Sequence, residues 1–132
     1  MANGAGDAVD PTLFRNALSS FATGITVITT EVNGEIRSMT ANAFMSGSLE
    51  PPLCIVSVAK RARTHGMQIE TGYFGVSILA QVRRNCASIS PTIRLRIWNR
   101  CSIISAARPT IAADIVARHE CGDHSIFVGR IV

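Results

Sequence analysis

Two short runs carry residue types that could hold a ligand. Ser38-Met39-Thr40-Ala41-Asn42-Ala43 mixes small side chains with hydroxyl and amide groups, where a strand normally places bulky apolar residues. Ser57-Val58-Ala59-Lys60-Arg61-Ala62-Arg63-Thr64 brings two hydroxyls and three cations to what reads as a helix start. Small residues such as Ala41 and Ala43 let a flat ring approach the backbone, while Thr40, Asn42 and nearby amides can donate to ring carbonyl oxygens. A phosphate suits hydroxyls, a guanidinium and the free N–H groups of a helix N-terminus. Both runs fall within Arg37 to Thr64, which therefore reads as a cradle for a planar, phosphorylated ligand. Asp123-His124 invites a catalytic-dyad or metal reading, but no matching carboxylate or cysteine cluster accompanies it, and no metal is expected.

The elements that must position these runs are legible in outline. Asp10-Pro11 suits a helix start, Phe14, Ala17, Leu18 and Phe21 share one helical face, and Gly24 is a natural stop. Ile25–Glu31 is largely β-branched and reads as a strand, and Asn33-Gly34 is a strong type I′ hairpin signal. Glu35–Leu49 should return antiparallel, with a bulge near Gly47, before Pro51-Pro52 breaks the pairing. Leu53–Val58 reads as a buried strand, Ala62–Thr71 as a short helix ended by Gly72, and Tyr73–Leu79 as another strand. Ile111–Arg118 and Ser125–Val132 complete the set around a turn at Glu120-Cys121-Gly122-Asp123-His124. Many strands, few helices and hairpin links favour a mainly β fold, a Greek-key barrel rather than an α/β sheet.

With 132 residues, 47% of them hydrophobic, the chain is sized for one domain with a real core. Residues 1–9 are expected to be a flexible arm and 10–132 the domain. No apolar run approaches a membrane span, and the N-terminus lacks the basic-then-apolar layout of a signal peptide. Cys54, Cys86, Cys101 and Cys121 have no CxxC spacing and read as free buried thiols in a reducing, cytoplasmic setting. The net charge of +4 is local. No acid lies between Glu70 and Asp114, where Arg83, Arg84, Arg94, Arg96, Arg100 and Arg108 give that stretch +6 and leave −2 for the rest. An exposed loop explains that cluster more simply than a nucleic-acid surface, and His65 and His119 read as surface residues.

Four blocks in order resemble the flavin reductase family, the short-chain flavin:NAD(P)H oxidoreductases that serve two-component flavin monooxygenases. They are FRNALSSFATGITVIT (14–29), SMTANAFMSGSLEPPLCIVSV (38–58), TGYFGVSILA (71–80) and GDHSIFVGRI (122–131). The resemblance implies an FMN-binding split β-barrel of Greek-key type with an N-terminal helix, assembled as a homodimer. It implies hydride transfer from NADH or NADPH to FMN or FAD, with reduced flavin passed to a monooxygenase partner. By the same resemblance, Met39, Thr40, Ala41, Asn42 and Ala43 contact the isoalloxazine, and Ser57, Val58, Ala59, Lys60, Arg63 and Thr64 hold the ribityl phosphate. Gly122, Asp123 and His124 match the nicotinamide-site motif, with His124 the candidate catalytic residue. Neither a membrane nor a nucleic acid is an expected partner. The rival readings are a flavin-binding protein without turnover and, more remotely, a basic nucleic-acid-associated protein.

Two departures from the family pattern stand out. Residues 81–110 lack its usual serine- and phenylalanine-containing stretch, and the chain stops at Val132, where a last strand usually follows. An acid-free excess of Arg, Ser and Cys is what a shifted reading frame in a GC-rich gene produces, so residues 81–110 are either divergent or frame-altered. Translating the coding DNA over residues 81–113 in the other two frames should yield a family-like peptide; its absence from both leaves divergence as the account.

Overall fold

A computed structural model describes residues 9–79, 104–105 and 108–132, with side chains described for 9–79 and 111–132. The arm at 1–8, Cys86, Trp98, Cys101 and most of the 81–110 stretch lie outside the described residues. The chain order is α1 (Pro11–Ser19), β1 (Thr26–Val32), β2 (Glu35–Ala41), β3 (Phe44–Leu49), β4 (Pro52–Ala59), α2 (Arg63–Thr71), β5 (Tyr73–Ile78), β6 (Ile104–Ser105), β7 (Arg108–Cys121) and β8 (His124–Ile131). The strands form one antiparallel sheet in the order β2-β1-β5-β7-β8-β4-β3, with β6 paired to β7. The mainly β split-barrel expectation is met: the sheet curls so that one face encloses the core.

Alternation builds that core. In β4, Cys54, Val56 and Val58 are buried while the residues between them are only half covered, and in β8 Ser125, Phe127 and Gly129 point inward. Cys54, Val56, Val58 and Phe127 make one apolar cluster with Ile28, Phe74, Val76 and Ala113. Each fully buried Val, Ile or Phe contributes about 1.5–3 kcal/mol. Cys54 is a free thiol inside it, and burial raises its pKa to about 11. Cys121 is free but exposed, against the expectation of burial, because it occupies the outer end of β7.

Local signals explain most of the boundaries. The Asp10 carboxylate accepts the Thr12 N–H at 2.7 Å, fixing the start of α1. The helix ends at Ser19 rather than at Gly24, because Ser20 and Phe21 turn back onto the carbonyls of Ala17 and Leu18. None of α1 is buried, and Leu13, Phe14 and Leu18 stay more than half exposed. Asn33 and Gly34 both take positive φ, as a type I′ turn requires. The expected single strand over 35–49 is two, separated at Asn42-Ala43, because β2 pairs with β1 and β3 with β4. A register shift between Ser46 and Ser48 puts the bulge at Gly47. Pro52 does not break pairing: it opens β4 opposite Leu49. β7 begins earlier and runs longer than Ile111–Arg118, and the β7–β8 turn is only Gly122-Asp123, with Cys121 opposite His124.

Helix α2 covers one opening of the half-barrel. Gly72 (φ 71°) ends it, and Thr64 and Gln68 are its buried residues. Gln68 is fully buried with neither amide atom paired among the described residues, and the structure gives no physical compensation for it. The tightest approach in the core is at Gly129. A Cβ there would lie 2.7 Å from the Ala113 Cβ and 2.7 Å from the Phe74 Cζ, both walled in by buried neighbours. Gly129→Ala should therefore destabilise the fold by about 1–3 kcal/mol or more through overpacking. Urea denaturation reads this as a lower midpoint at unchanged slope, and Phe74→Leu in the same chain should restore part of the loss.

Candidate functional site

Residues 39–43, 57–64 and 122–124 converge at the end of the half-barrel where β4 finishes and β8 begins. Three contacts hold them together. The Ser57 N–H donates to the Ala43 carbonyl at 3.1 Å, tying the first run to the second. The Thr64 hydroxyl donates to the Met39 sulfur at 2.9 Å, tying α2 to β2. The Lys60 N–H donates to the Asp123 carbonyl at 2.9 Å, tying the second run to the β7–β8 turn.

The pleat divides the first run. Met39 and Ala41 face inward and pack against the core, whereas Thr40 is exposed. Asn42 and Ala43 are also exposed and sit between β2 and β3, outside both ladders. Their backbone is thus accessible beside small side chains, which is the chemistry a flat heterocycle needs. In the second run, Val58 is fully buried, so any contact it makes with a ligand goes through its backbone. Ser57 and Ala59 are half-buried. Thr64 is 4% exposed and already bonded to Met39, which makes its hydroxyl a brace between elements rather than a free donor. Ala62 caps α2 without a side-chain hydrogen bond, so neither Ser57 nor Thr64 is a cap.

The cations differ in their engagement. The Lys60 ammonium lies 2.7 Å from Glu120 Oε2, across β8 on β7. Arg61 and Arg63 are exposed, and among the described residues neither has an ion-pair partner. Arg63 opens α2, whose first turn has no acidic residue, so the free N–H groups there face no competing carboxylate of the helix itself. Glu120 also lies 3.5 Å from Arg118. Its carboxyl is held below the usual range first by the Lys60 hydrogen bond, and further by the Lys60 and Arg118 charges and the Ser125 hydroxyl.

Sequence reasoning missed the group behind Glu120. His65, expected at the surface, is half-buried: its Nε2 lies 2.8 Å from Ser125 Oγ and its ring meets Phe127 edge-on at 5.5 Å. Ser125 is fully buried, and its hydroxyl lies 3.3 Å from Glu120 Oε1. A carboxylate only accepts, so Ser125 donates to Glu120 and His65 Nε2 must donate to Ser125. The one available signal was Ser125 itself, a hydroxyl at an inward position of an alternating strand.

At the turn, Gly122 takes φ 58°, Asp123 is exposed and His124 half-buried. His124 Nδ1 lies 2.7 Å from Asp123 Oδ1. That hydrogen bond is the main reason the Asp123 carboxyl is held below its ordinary 3.8, with the charge of His124 adding to it. Among the described residues, no group of three or more His, Cys, Asp or Glu could hold a metal. No helix among them is long and apolar enough to cross a membrane.

The donor set fits a flavin: small and hydroxyl-bearing residues exposed at 40, 42 and 43, the exposed Arg61 and Arg63 guanidinium groups, and the N–H groups that open α2 at Arg63 and Thr64. A family model described as the flavin reductase like domain matches residues 18–132. An NADH-dependent flavin reductase of a Rhodococcus species is 38% identical over 133 residues, covering 93% of this chain and 76% of that protein. The reductase component of 4-hydroxyphenylacetate 3-monooxygenase from Thermus thermophilus is 34% identical, covering 89% of this chain and 80% of its own. Among solved structures, BorF, the flavin reductase component of a bacterial two-component tryptophan halogenase, superposes with TM-score 0.73 at 35% identity, over 93% of this chain and 85% of BorF.

The depressed Asp123 carboxyl has a signed consequence. A carboxyl whose folded pKa lies below its unfolded value stabilises the turn above the unfolded value, and that contribution is lost as pH falls through the folded one. The Asp123 carboxyl carbon, followed by NMR, should titrate below 3.8 in the native chain and move back toward 3.8 in His124→Ala.

Proposed function

The chain belongs to the flavin reductase like family, and on that premise we propose that it transfers a hydride from NADH to FMN or FAD and delivers the reduced flavin to a monooxygenase component. The observation that carries this reading is the joining of the two ligand runs at one end of the half-barrel, through Ala43–Ser57 and Met39–Thr64. Bound together, nicotinamide and flavin supply the redox chemistry themselves.

The protein's own residues bind and orient. Asn42, Ala43 and the exposed edge of Thr40 would line the ring and offer donors to its carbonyl oxygens. Ser57, Ala59, Arg63 and the first turn of α2 hold the phosphate, with Lys60 supplying mobile charge. Met39, Val58 and Thr64 support these groups from the core side. The Gly122-Asp123-His124 turn adjoins the same end, where the Asp123 carboxylate holds the His124 ring that would serve the nicotinamide. The chemistry asks for stacking and exclusion of water, not for a nucleophile and base, and no such pair is needed from this chain.

Residues 10–132 act as one flavin reductase domain in the cytoplasm, as a homodimer. A second copy is the natural cover for Leu13, Phe14, Leu18 and Phe21, which the described residues of this chain leave exposed.

The test is direct. Purified protein with NADH and catalytic FMN or FAD should consume NADH in air, and omission of flavin should abolish the loss of its absorbance band. Flavin binding without NADH consumption overturns the enzyme reading in favour of a non-catalytic flavin-binding protein.

A further inference from the structure

Lys60 belongs to the proposed phosphate-binding run, yet its ammonium is already engaged by a carboxylate. Glu120 Oε2 holds it at 2.7 Å, while Oε1 takes the Ser125 hydroxyl at 3.3 Å and lies 3.5 Å from Arg118. The two partners are anchored very differently. Glu120 is fixed from the protein interior by a directed chain, His65 Nε2–H to Ser125 Oγ–H to Oε1, in which Ser125 is fully buried and His65 packs on buried Phe127. Lys60 is fixed only at its backbone N–H, on the Asp123 carbonyl, and its side chain is 40% exposed on a flexible four-carbon stem. When an anion arrives, the ammonium moves and the carboxylate stays.

We infer that Glu120 is an internal counter-anion that competes with the flavin phosphate for Lys60, and so sets how tightly phosphorylated flavin is held. This rests on the flavin reading of the same site. The alternative, that Glu120 holds Lys60 ready for the ligand, is the weaker effect: exposed ion pairs restrain a side chain little. A fixed carboxylate, by contrast, repels a phosphate over a screening length of about 8–10 Å. Arg118 stays on Glu120 when Lys60 leaves, and the Arg61 charge acts on Asp123 rather than on Glu120. The device suits a protein whose product is the flavin itself, since reduced flavin must leave to reach the oxygenase. Lys60 returning to Glu120 offsets the cost of letting the phosphate go.

Glu120→Gln is the decisive variant. It removes the charge, keeps an acceptor for Ser125, and alters a side chain that is 58% exposed. Dissociation constants of FMN and of riboflavin, which lacks the phosphate, are measured by fluorescence quenching on the full chain. FMN should bind about threefold to tenfold more tightly to the variant, with riboflavin unchanged. The gain should disappear in the Lys60→Met background and shrink at high salt. An FMN-to-riboflavin ratio that moves by less than about twofold, or a selective loss of FMN affinity, overturns the inference while leaving the flavin reading in place. Failure of the wild-type chain to bind FMN, riboflavin or FAD overturns both.

Discussion

The structure depends on how closely the inner face of the curled sheet closes on itself at Gly129. There β8 passes over the Phe74 ring and the Ala113 methyl with no room for a side chain. Because Phe74 lies on β5 and Ala113 on β7, this contact joins three neighbouring strands, β5, β7 and β8. The rest of the core, Ile28, Val56, Val58, Val76 and Phe127, fills the space that this approach defines.

From that frame the site follows by register. β4 and β8 pair from Leu53 opposite Arg130 to Ala59 opposite His124, which brings the run proposed for the phosphate beside the turn proposed for the nicotinamide. The β7–β8 pairing then places Glu120 opposite Ser125, one strand beyond Val58. Helix α2 lies over this end, with Thr64 on Met39 and His65 on Ser125. The helix whose N-terminus is proposed to hold the phosphate therefore also anchors, through His65 and Ser125, the carboxylate proposed to temper that binding.

Much of the fold could be read from local chemistry. Asp10 at the start of α1, Asn33-Gly34 between β1 and β2, Gly72 after α2 and the alternation of β4 and β8 each specify a local conformation without help from the rest of the chain. The errors have a common cause. Glu35–Leu49 looked like one strand because nothing local marks Asn42-Ala43 as a break; the break exists because β2 and β3 have different partners on opposite edges of the sheet. Pro52 looked like a terminator, but it opens β4 at an edge pairing. The helical face of Phe14, Leu18 and Phe21 was legible, whereas its exposure was not, because periodicity reports that a face is apolar and not what covers it.

The candidate ligand residues divide in the same way. Residue types marked Ser38–Ala43 and Ser57–Thr64 as candidate ligand runs, since small, hydroxyl and basic groups in apolar strands have few structural uses, while Gly122–His124 stood out only by resemblance to a family motif. Only the tertiary structure decided which of them are free to act. It bound Thr64 to Met39, buried Val58, gave Lys60 to Glu120 and, among the described residues, left Arg63 without an ion-pair partner. Those outcomes depend on contacts between residues tens of positions apart, as between His65 and Ser125. A linear sequence records which groups are present; antiparallel register and the docking of α2 determine which of them meet.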